Sequence, residues 1–355
     1  MANSGLRLTL LTIAIPTYNR AENLNNLLLA LASLKGSQGV AILVSDNCST
    51  DHTQSVVHKW QEFYGSMFSS IRNASNLGFD QNVVSLYRSA KTDYIWFLSD
   101  EDLPELDELD QTLAVLSEGK FGLLIASQST SPQIGKTCVE VDLCPYQPTK
   151  NTFLHKIDED LEVSTPDNRA ALILMASQIS TSILRTGIKI PTELKHLGGL
   201  PQSYIGHLAL LTYPYARISG KTLTYLAAKN DVSDWFLESC FTGSLEIYSR
   251  PELELPMALR NQIINSNVRF GISILKNQLL RGVSLEIRTS TMNSLLAWNG
   301  LDLNNRTGIH TTKIVLFFRF MLLPIGRIRT FLSNKLISSR QFLINLIRVF
   351  ISSQK

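Results

Sequence analysis

Cysteine is scarce: the chain has four in 355 residues, with no C-x-x-C pair and no histidine at zinc-ligand spacing from any of them. That excludes a disulfide scaffold or a zinc ribbon and leaves ordinary free thiols in a reducing cytosol as the plain reading. Glycine-rich phosphate loops are missing too. Nothing between Ile15 and Asn23 resembles G-x-G-x-x-G, and no G-x-x-x-x-G-K-[ST] occurs, so dinucleotide oxidoreductases and P-loop NTPases lose ground. No run reaches the roughly 20 apolar residues of a membrane-spanning helix. The apolar Leu8–Ile15 follows a single Arg7 and precedes no small-residue cleavage site, so it is not expected to be a signal peptide. Acidic residues are absent from Leu303 to Lys355, where nine Lys/Arg lie; the part before it holds 24 basic against 30 acidic residues, a net −6. An acidic body with a basic tail results, and no nucleic-acid partner is expected of it.

What is present is an alternation. LTLLTIAI, Leu8–Ile15, is a short continuous apolar run ended by Pro16, which suits a strand buried on both faces. Glu22–Leu34 then spaces Leu24, Leu27, Leu28 and Leu31 as a helix does, with Gly36 as a stop. Val40–Val44 is a second strand, Ser49-Thr50-Asp51 supplies capping chemistry, and Val56, Val57, Trp60 and Phe63 follow on one helical face. A weaker third pass runs through Met67–Arg72 and a helix carrying Val83, Val84, Leu86 and Tyr87, and a fourth strand, Tyr94–Leu98, is followed by a helix from Glu105 and an apolar run Phe121–Ala126. The pattern predicts an α/β fold with a doubly wound, mostly parallel sheet whose ligand site lies at the carboxyl ends of the strands. Residues 127–166 read as an irregular loop or lid, helical periodicity returns from Asn168, and Ser180–Arg185 is strand-like.

The polar residues collect where that rule puts a site: Thr17 and Tyr18 after the first strand, Asp46 and Asn47 after the second, Ser99-Asp100-Glu101-Asp102 after the fourth. Three adjacent carboxylates repel one another unless a cation joins them, and Mg²⁺ or Mn²⁺ on a diphosphate takes one or two carboxylates plus phosphate oxygens. The plain alternative is a solvated acidic turn favoured by the dipole of the following helix. Asp46 suits a base or ribose contact, or else an Asx-turn with Asn47 that ends the strand.

As a set, TIAIPTYNR, VSDNCSTD, NLGFDQNV and YIWFLSDED resemble, in order and approximate spacing, a family 2 glycosyltransferase of the GT-A fold, over about residues 8–126. The resemblance is nearest to bacterial O-antigen and capsule enzymes of the abequosyltransferase kind. It implies a nucleotide-sugar-binding half at 1–126, an acceptor-binding half at 127–250 and a helical, basic extension at 251–355. It implies that Pro16, Thr17, Tyr18 and Arg20 line the nucleotide pocket, that Asp46 contacts the base, and that Asn76, Gly78 and Asn82 shape the loop beside the diphosphate. Asp100, Glu101 and Asp102 would meet ribose, metal and phosphate. This chain has Ser-Asp-Glu-Asp where many members have Asp-x-Asp-Asp, which leaves the principal metal ligand open. The implied activity is inverting transfer of a hexose or deoxyhexose from a nucleotide-diphosphate sugar to a hydroxyl of a lipid-linked glycan acceptor during surface-polysaccharide synthesis. The general base of the family often sits in a Glu-Asp pair near a helix start; here the local sequence is Gln202-Ser-Tyr-Ile-Gly-His207, and His207 is the candidate, with a helix-face histidine as its plain reading. A nucleotidyltransferase lacks its basic glycine-rich loop here, and a non-catalytic scaffold at the membrane is the alternative from another class.

The tail from Thr311 mixes Phe and Leu with Lys313, Arg319, Arg327, Arg329, Lys335, Arg340 and Arg348. Lying flat on an anionic membrane surface suits that pattern, as a peripheral protein of the cytoplasmic face; a helical pair packed on the main domain is the alternative.

Overall fold

The computed structural model describes residues 9–104, 106–107, 109–125, 128–131, 154–155, 179–194, 197–213, 215–218, 223–226, 243–280, 296–297, 300–304 and 306–310. Most of the expected loop at 127–166, the helical return at 168 and the basic tail lie outside these residues. The chain divides into two compact units, 1–229 with 250–254, and 230–249 with 255–355.

In the first unit the strands are β1 (Leu11–Thr17), β2 (Val40–Asp46), β3 (Phe68–Arg72), β4 (Tyr94–Phe97), β5 (Asp102–Pro104), β6 (Leu123–Ile125), β7 (Gln128–Ser131), β8 (Leu154–His155), β9 (Ser182–Arg185), β10 (Tyr215–Ile218) and β11 (Leu223–Leu226). Eight form one sheet in the order β3-β2-β1-β4-β9-β6-β10-β8, and β5-β11-β7 form a small second sheet. The pairs β1–β2, β2–β3, β1–β4 and β6–β10 are parallel. Within the mostly parallel sheet β9 lies antiparallel between β4 and β6, and β8 antiparallel to β10. The carboxyl ends of β1, β2 and β4 therefore lie together, and the amino end of β9 comes to meet them.

Among the described residues, helices α1 (Ala21–Ala30), α2 (Thr53–Tyr64), α3 (Gly78–Ser89), α4 (Leu109–Ser117) and α5 (Pro201–Leu210) also belong to this unit. β1 is buried along its whole length, as a central strand must be. Its Leu11, Ile13 and Ile15 join one core with Leu24, Leu27 and Leu28 of α1, Val57 and Trp60 of α2, and Tyr94 and Trp96 of β4. Each such Leu or Ile buried contributes about 1.5–3 kcal/mol. On α2 the buried stripe is Thr53, Val57, Trp60 and Tyr64 rather than the expected face through Phe63, which is 37% exposed and packs edge-on against Trp60. Asp51 serves that helix from two residues before its start: its Oδ1 accepts the Thr53 N–H at 3.0 Å and the Thr53 hydroxyl at 2.5 Å. Asp51 Oδ2 also takes the Ala21 N–H at 3.1 Å, tying the start of α1 to that of α2.

In the second unit α6 (Ser244–Tyr248) packs on α7 (Met257–Leu280). Buried Asn267 donates to the Ser244 hydroxyl at 2.6 Å, and Asn265 donates to Gly300 O while accepting from the Asp302 N–H. Among the described residues no helix is long and apolar enough to cross a membrane.

Candidate active site

Four chain segments meet at the carboxyl ends of β1, β2 and β4. From β1, the Thr17 hydroxyl donates to Asp100 Oδ2 at 3.2 Å. Arg20, three residues on, places Nε 3.3 Å from Asp100 Oδ1 and pairs Nη2 with Glu101. β4 stops at Phe97; the Asp102 N–H then bonds Ser99 O at 3.1 Å, and Asp102 opens β5. The acidic triplet is therefore a turn rather than an extension of the strand. It buries Asp100 and Asp102 and leaves Glu101 partly exposed beside Arg20.

The two buried carboxylates differ in one respect. Asp100 has partners on both oxygens. Asp102 accepts from the Ser180 hydroxyl, but its Oδ1 is buried with no hydrogen-bond partner. Burial pushes the Asp100 carboxyl up to about 6 against the pull of Arg20 and Thr17. Burial, helped by the charge of Asp100, pushes Asp102 up to about 6 against the Ser180 hydrogen bond. An ionised carboxylate with an unmet oxygen in a buried place is costly, and a nearby cation removes the cost. Among the described residues no three His, Cys, Asp or Glu side chains converge as a metal cluster, so the acidic triplet does not form a three-carboxylate cage: Glu101 is held on Arg20.

The end of β2 is held from inside. Asp46 has no exposed surface; its Oδ1 accepts the Ser49 N–H at 2.9 Å, and its Oδ2 accepts from Gln54 and lies 3.5 Å from Arg72 Nε. Asn47 is the hub of the next loop. Its Nδ2 donates to Asn76 Oδ1 at 2.8 Å and to Gly78 O at 3.2 Å, while its Oδ1 accepts from Asn73 Nδ2 and from the Leu77 N–H, both at 2.9 Å. Asn82 accepts from Ser45 Oγ at 2.6 Å and Asn73 Nδ2 at 3.0 Å, and donates to Ser45 O. The expected trio Asn76, Gly78 and Asn82 is thus brought together around Asn47. Pro16 and Thr17 are buried at the end of β1, whereas Tyr18 is 41% exposed beside them.

Two contributors carry more than the sequence assigns them. Asn47 is placed near the site by the sequence only as a polar residue after the second strand. Ser180 lies 80 residues from the acidic turn, yet its carbonyl accepts the Trp96 indole N–H at 2.8 Å and its hydroxyl accepts the Ser99 N–H at 2.8 Å. Only the antiparallel insertion of β9 brings it there. His207 is buried in α5, next to Gly206, where an added Cβ would lie 3.2 Å from Leu184. Leu184 pairs with Ile95, so His207 stands level with the middle of β4. Ala209 lies against Gly122, at the amino end of β6, so it is the first turn of α5, Pro201–Tyr204, that points toward the acidic turn.

Residues 12–173 match the model of glycosyl transferase family 2. A 101-residue stretch is 36% identical to the abequosyltransferase RfbV of Salmonella typhimurium strain LT2, covering 28% of this chain and 30% of that protein's length. The fold is similar to that of S. aureus TarS 1–349, with a TM-score of 0.54 at 16% identity over 92% of this chain and 90% of that one. The same S. aureus protein in complex with UDP-GlcNAc gives 0.55 at 17% identity over the same shares. With the strand-end site on a mostly parallel sheet, these likenesses show a GT-A fold, and residues 12–173, a little under half of the chain, are similar to glycosyl transferase family 2.

Proposed function

We propose that the chain transfers a sugar, with inversion, from a nucleotide-diphosphate sugar to a hydroxyl of a lipid-linked glycan during surface-polysaccharide synthesis. The observation that carries the donor half of this reading is the orphaned Oδ1 of buried Asp102 beside Asp100, at the end of the sheet where α/β folds bind nucleotides. The pair fits a hard divalent cation, Mg²⁺ or Mn²⁺, with Asp102 as its main carboxylate and diphosphate oxygens as further ligands. Such an ion, when bound, neutralises charge on the leaving diphosphate. The chain's own residues do the rest: Thr17 and Arg20 fix the orientation of Asp100, Ser180 fixes that of Asp102, and the Asn47-centred loop walls the phosphate side. With three donors on its carboxylate, Asp46 shapes the base pocket from beneath rather than touching the base. A general base must lie within hydrogen-bond reach of the acceptor hydroxyl. His207, buried in α5 and level with mid-strand, serves the packing of that helix rather than as the base. The UDP-GlcNAc bound by the S. aureus relative and the abequosyl transfer of the Salmonella one both support a sugar nucleotide as donor.

Thermal shift with UDP-, GDP-, CDP- and dTDP-sugars and MnCl₂ tests the donor. A ligand at 100 times its Kd adds about 2.7 kcal/mol to the folded state, a shift of several degrees. The Mn²⁺-dependent part of that shift is expected at pH 7.5 and to vanish near pH 5, where the two carboxyls raised to about 6 hold protons. No shift with any donor, or the same Mn²⁺ effect at both pH values, defeats the reading.

The membrane half of the proposal rests on the composition of residues 311–355. Replacing Arg319, Arg327, Arg329 and Arg340 with Gln in the full chain removes about 4 kcal/mol of attraction to an anionic surface, at about 1 kcal/mol each. Flotation with phosphatidylserine liposomes at low salt is expected to be lost. Equal flotation of the variant and the wild type rules the tail out as the anchor.

A further inference from the structure

One face of α3 is spent on holding a single stretch of chain. The Tyr87 hydroxyl donates to Arg185 O at 2.9 Å and accepts the Ile188 N–H at 3.1 Å. Arg88 donates to Pro191 O at 2.8 Å and Thr192 O at 2.9 Å, and Gln81 donates to Leu194 O. At the helix start Asp80 closes the series: Oδ2 accepts the Leu197 N–H at 2.6 Å and Oδ1 the Gly199 N–H at 3.0 Å. Residues 186–194 and 197–199 thus follow α3 in the antiparallel sense, the last of them beside its first turn.

What Asp80 holds is a tight turn. The Leu200 N–H bonds Leu197 O at 2.9 Å, and the two central residues, Gly198 and Gly199, have φ of 57° and 77°, the positive values that a type I′ turn requires at both places and that glycine adopts without strain. Such a turn aims backbone N–H groups into one concavity suited to an anion, and the Asp80 carboxylate fills it. Leu200 caps α5, whose first turn points toward the acidic turn at Asp100–Asp102. On its other side Asp80 lies two residues after Asn76-Leu77-Gly78, the loop pinned by Asn47. One carboxylate therefore stands between the loop on the donor side and the helix on the acceptor side.

We propose that Asp80 is a positioning residue: it couples the Asn73–Gly78 loop to the start of α5, so that ordering the donor loop also orders the acceptor-side helix. The coupling rests on the glycosyl-transfer reading above, but the link itself is a property of the ligand-free chain. Asp80 accepts from the backbone N–H groups of Leu197 and Gly199, so its effect passes through the backbone it fixes. Asp80→Asn keeps the size but offers an amide N–H₂ to one of two N–H donors, which breaks half the clasp. Arg88→Ala loosens the far end of the same stretch and serves as the comparison.

Hydrogen exchange by mass spectrometry on the full chain decides it, ligand-free and with a mixture of UDP, GDP, CDP and dTDP plus MnCl₂. In ligand-free Asp80→Asn, peptides over 197–206 are expected to exchange roughly tenfold faster while those over β1 and β2 keep wild-type rates; Arg88→Ala is expected to free 188–194 only. With nucleotide, the wild type gains protection at both 73–78 and 197–206, and Asp80→Asn at 73–78 alone. Wild-type exchange at 197–206 in Asp80→Asn, faster exchange across the whole sheet, or equal nucleotide protection of 197–206 in both proteins overturns the proposal. Absence of protection at 73–78 in the wild type instead removes the donor reading and with it the coupling, while the ligand-free comparison still decides whether Asp80 is the link.

Discussion

Asp102→Asn is expected to lower sugar transfer by about 10³-fold while the ligand-free protein at pH 7.5 melts no lower than the wild type and up to a few degrees higher. The first half follows from the loss of the carboxylate best placed for a cation, comparable to losing one preorganised electrostatic group in other enzymes. The second half follows from the sign of its titration. Below about pH 3.8 the carboxyl is protonated in both folded and unfolded chains and contributes nothing. As pH rises, the unfolded chain loses its proton first, while the folded chain keeps it until about 6. The folded state then binds more protons, so stability falls across that interval, and the penalty is fully present above about 6. Asn removes it. Two pH units correspond to about 3 kcal/mol, an upper bound because the new amide itself needs an acceptor where Oδ1 now has no partner. Asp100→Asn differs: it breaks the pair with Arg20 and the bond from Thr17, so it is expected to lose activity without any gain in melting temperature. A transfer assay with the donor found by thermal shift, run beside melting curves, checks both. Near-wild-type turnover of Asp102→Asn, or a melting point well below the wild type, refutes the account.

The contrast between the two aspartates shows where sequence reasoning stopped. Apolar runs ending in polar residues were enough to find β1, β2 and β4, because strands buried on both faces carry no alternation to confuse with a helix. The acidic residues at the end of β4 were legible for the same reason. Strand direction was not: Ser182–Arg185 reads as a strand, but nothing local says that it enters antiparallel between β4 and β6. That insertion delivers Ser180 to Asp102, so a partner 78 positions away depends on topology alone. β5 escaped because three residues, Asp102–Pro104, are too few for a period to show, and the expected helix from Glu105 is described only as Leu109–Ser117.

Arg20 shows a different limit. Its place after Pro16-Thr17-Tyr18-Asn19 marks it for the nucleotide pocket, but the sequence carries no sign that it pairs with Asp100 and Glu101 together. The positive φ of Asn19, 53°, turns the chain there, and the Asn19 N–H and side chain are held by Ser49 and Thr50 from the β2 side. The pairing of Arg20 thus depends on a loop 30 residues away. Patterns of one element are read from the sequence; agreements between two loops are read from the structure.

Asn47→Ala is expected to weaken nucleotide-sugar binding by about 30-fold or more and to lower stability by about 2–4 kcal/mol, a few net hydrogen bonds' worth with partners left buried. Asn47 is 3% exposed and uses both ends of its amide. Its orientation is not free, because Leu77 N–H can only donate and Gly78 O can only accept; these fix Oδ1 on the first and Nδ2 on the second. Asn73 and Asn76 then orient their own amides around it. Removing the side chain leaves the Asn73–Gly78 loop without its centre, and Gly78, at φ 78°, has no side chain with which to hold the turn. Asn47→Asp separates this network from mere volume. The carboxylate keeps the bond from Leu77 N–H but sets an oxygen against Gly78 O and Asn76 Oδ1 in place of the donor, so the isosteric change is expected to weaken donor binding nearly as much as Ala does. Isothermal titration with the donor and MnCl₂, on both variants, measures it. Wild-type affinity in Asn47→Asp would mean that the loop is held by its backbone alone, and the two N–H···O bonds given by the amide would have no part in shaping the donor pocket.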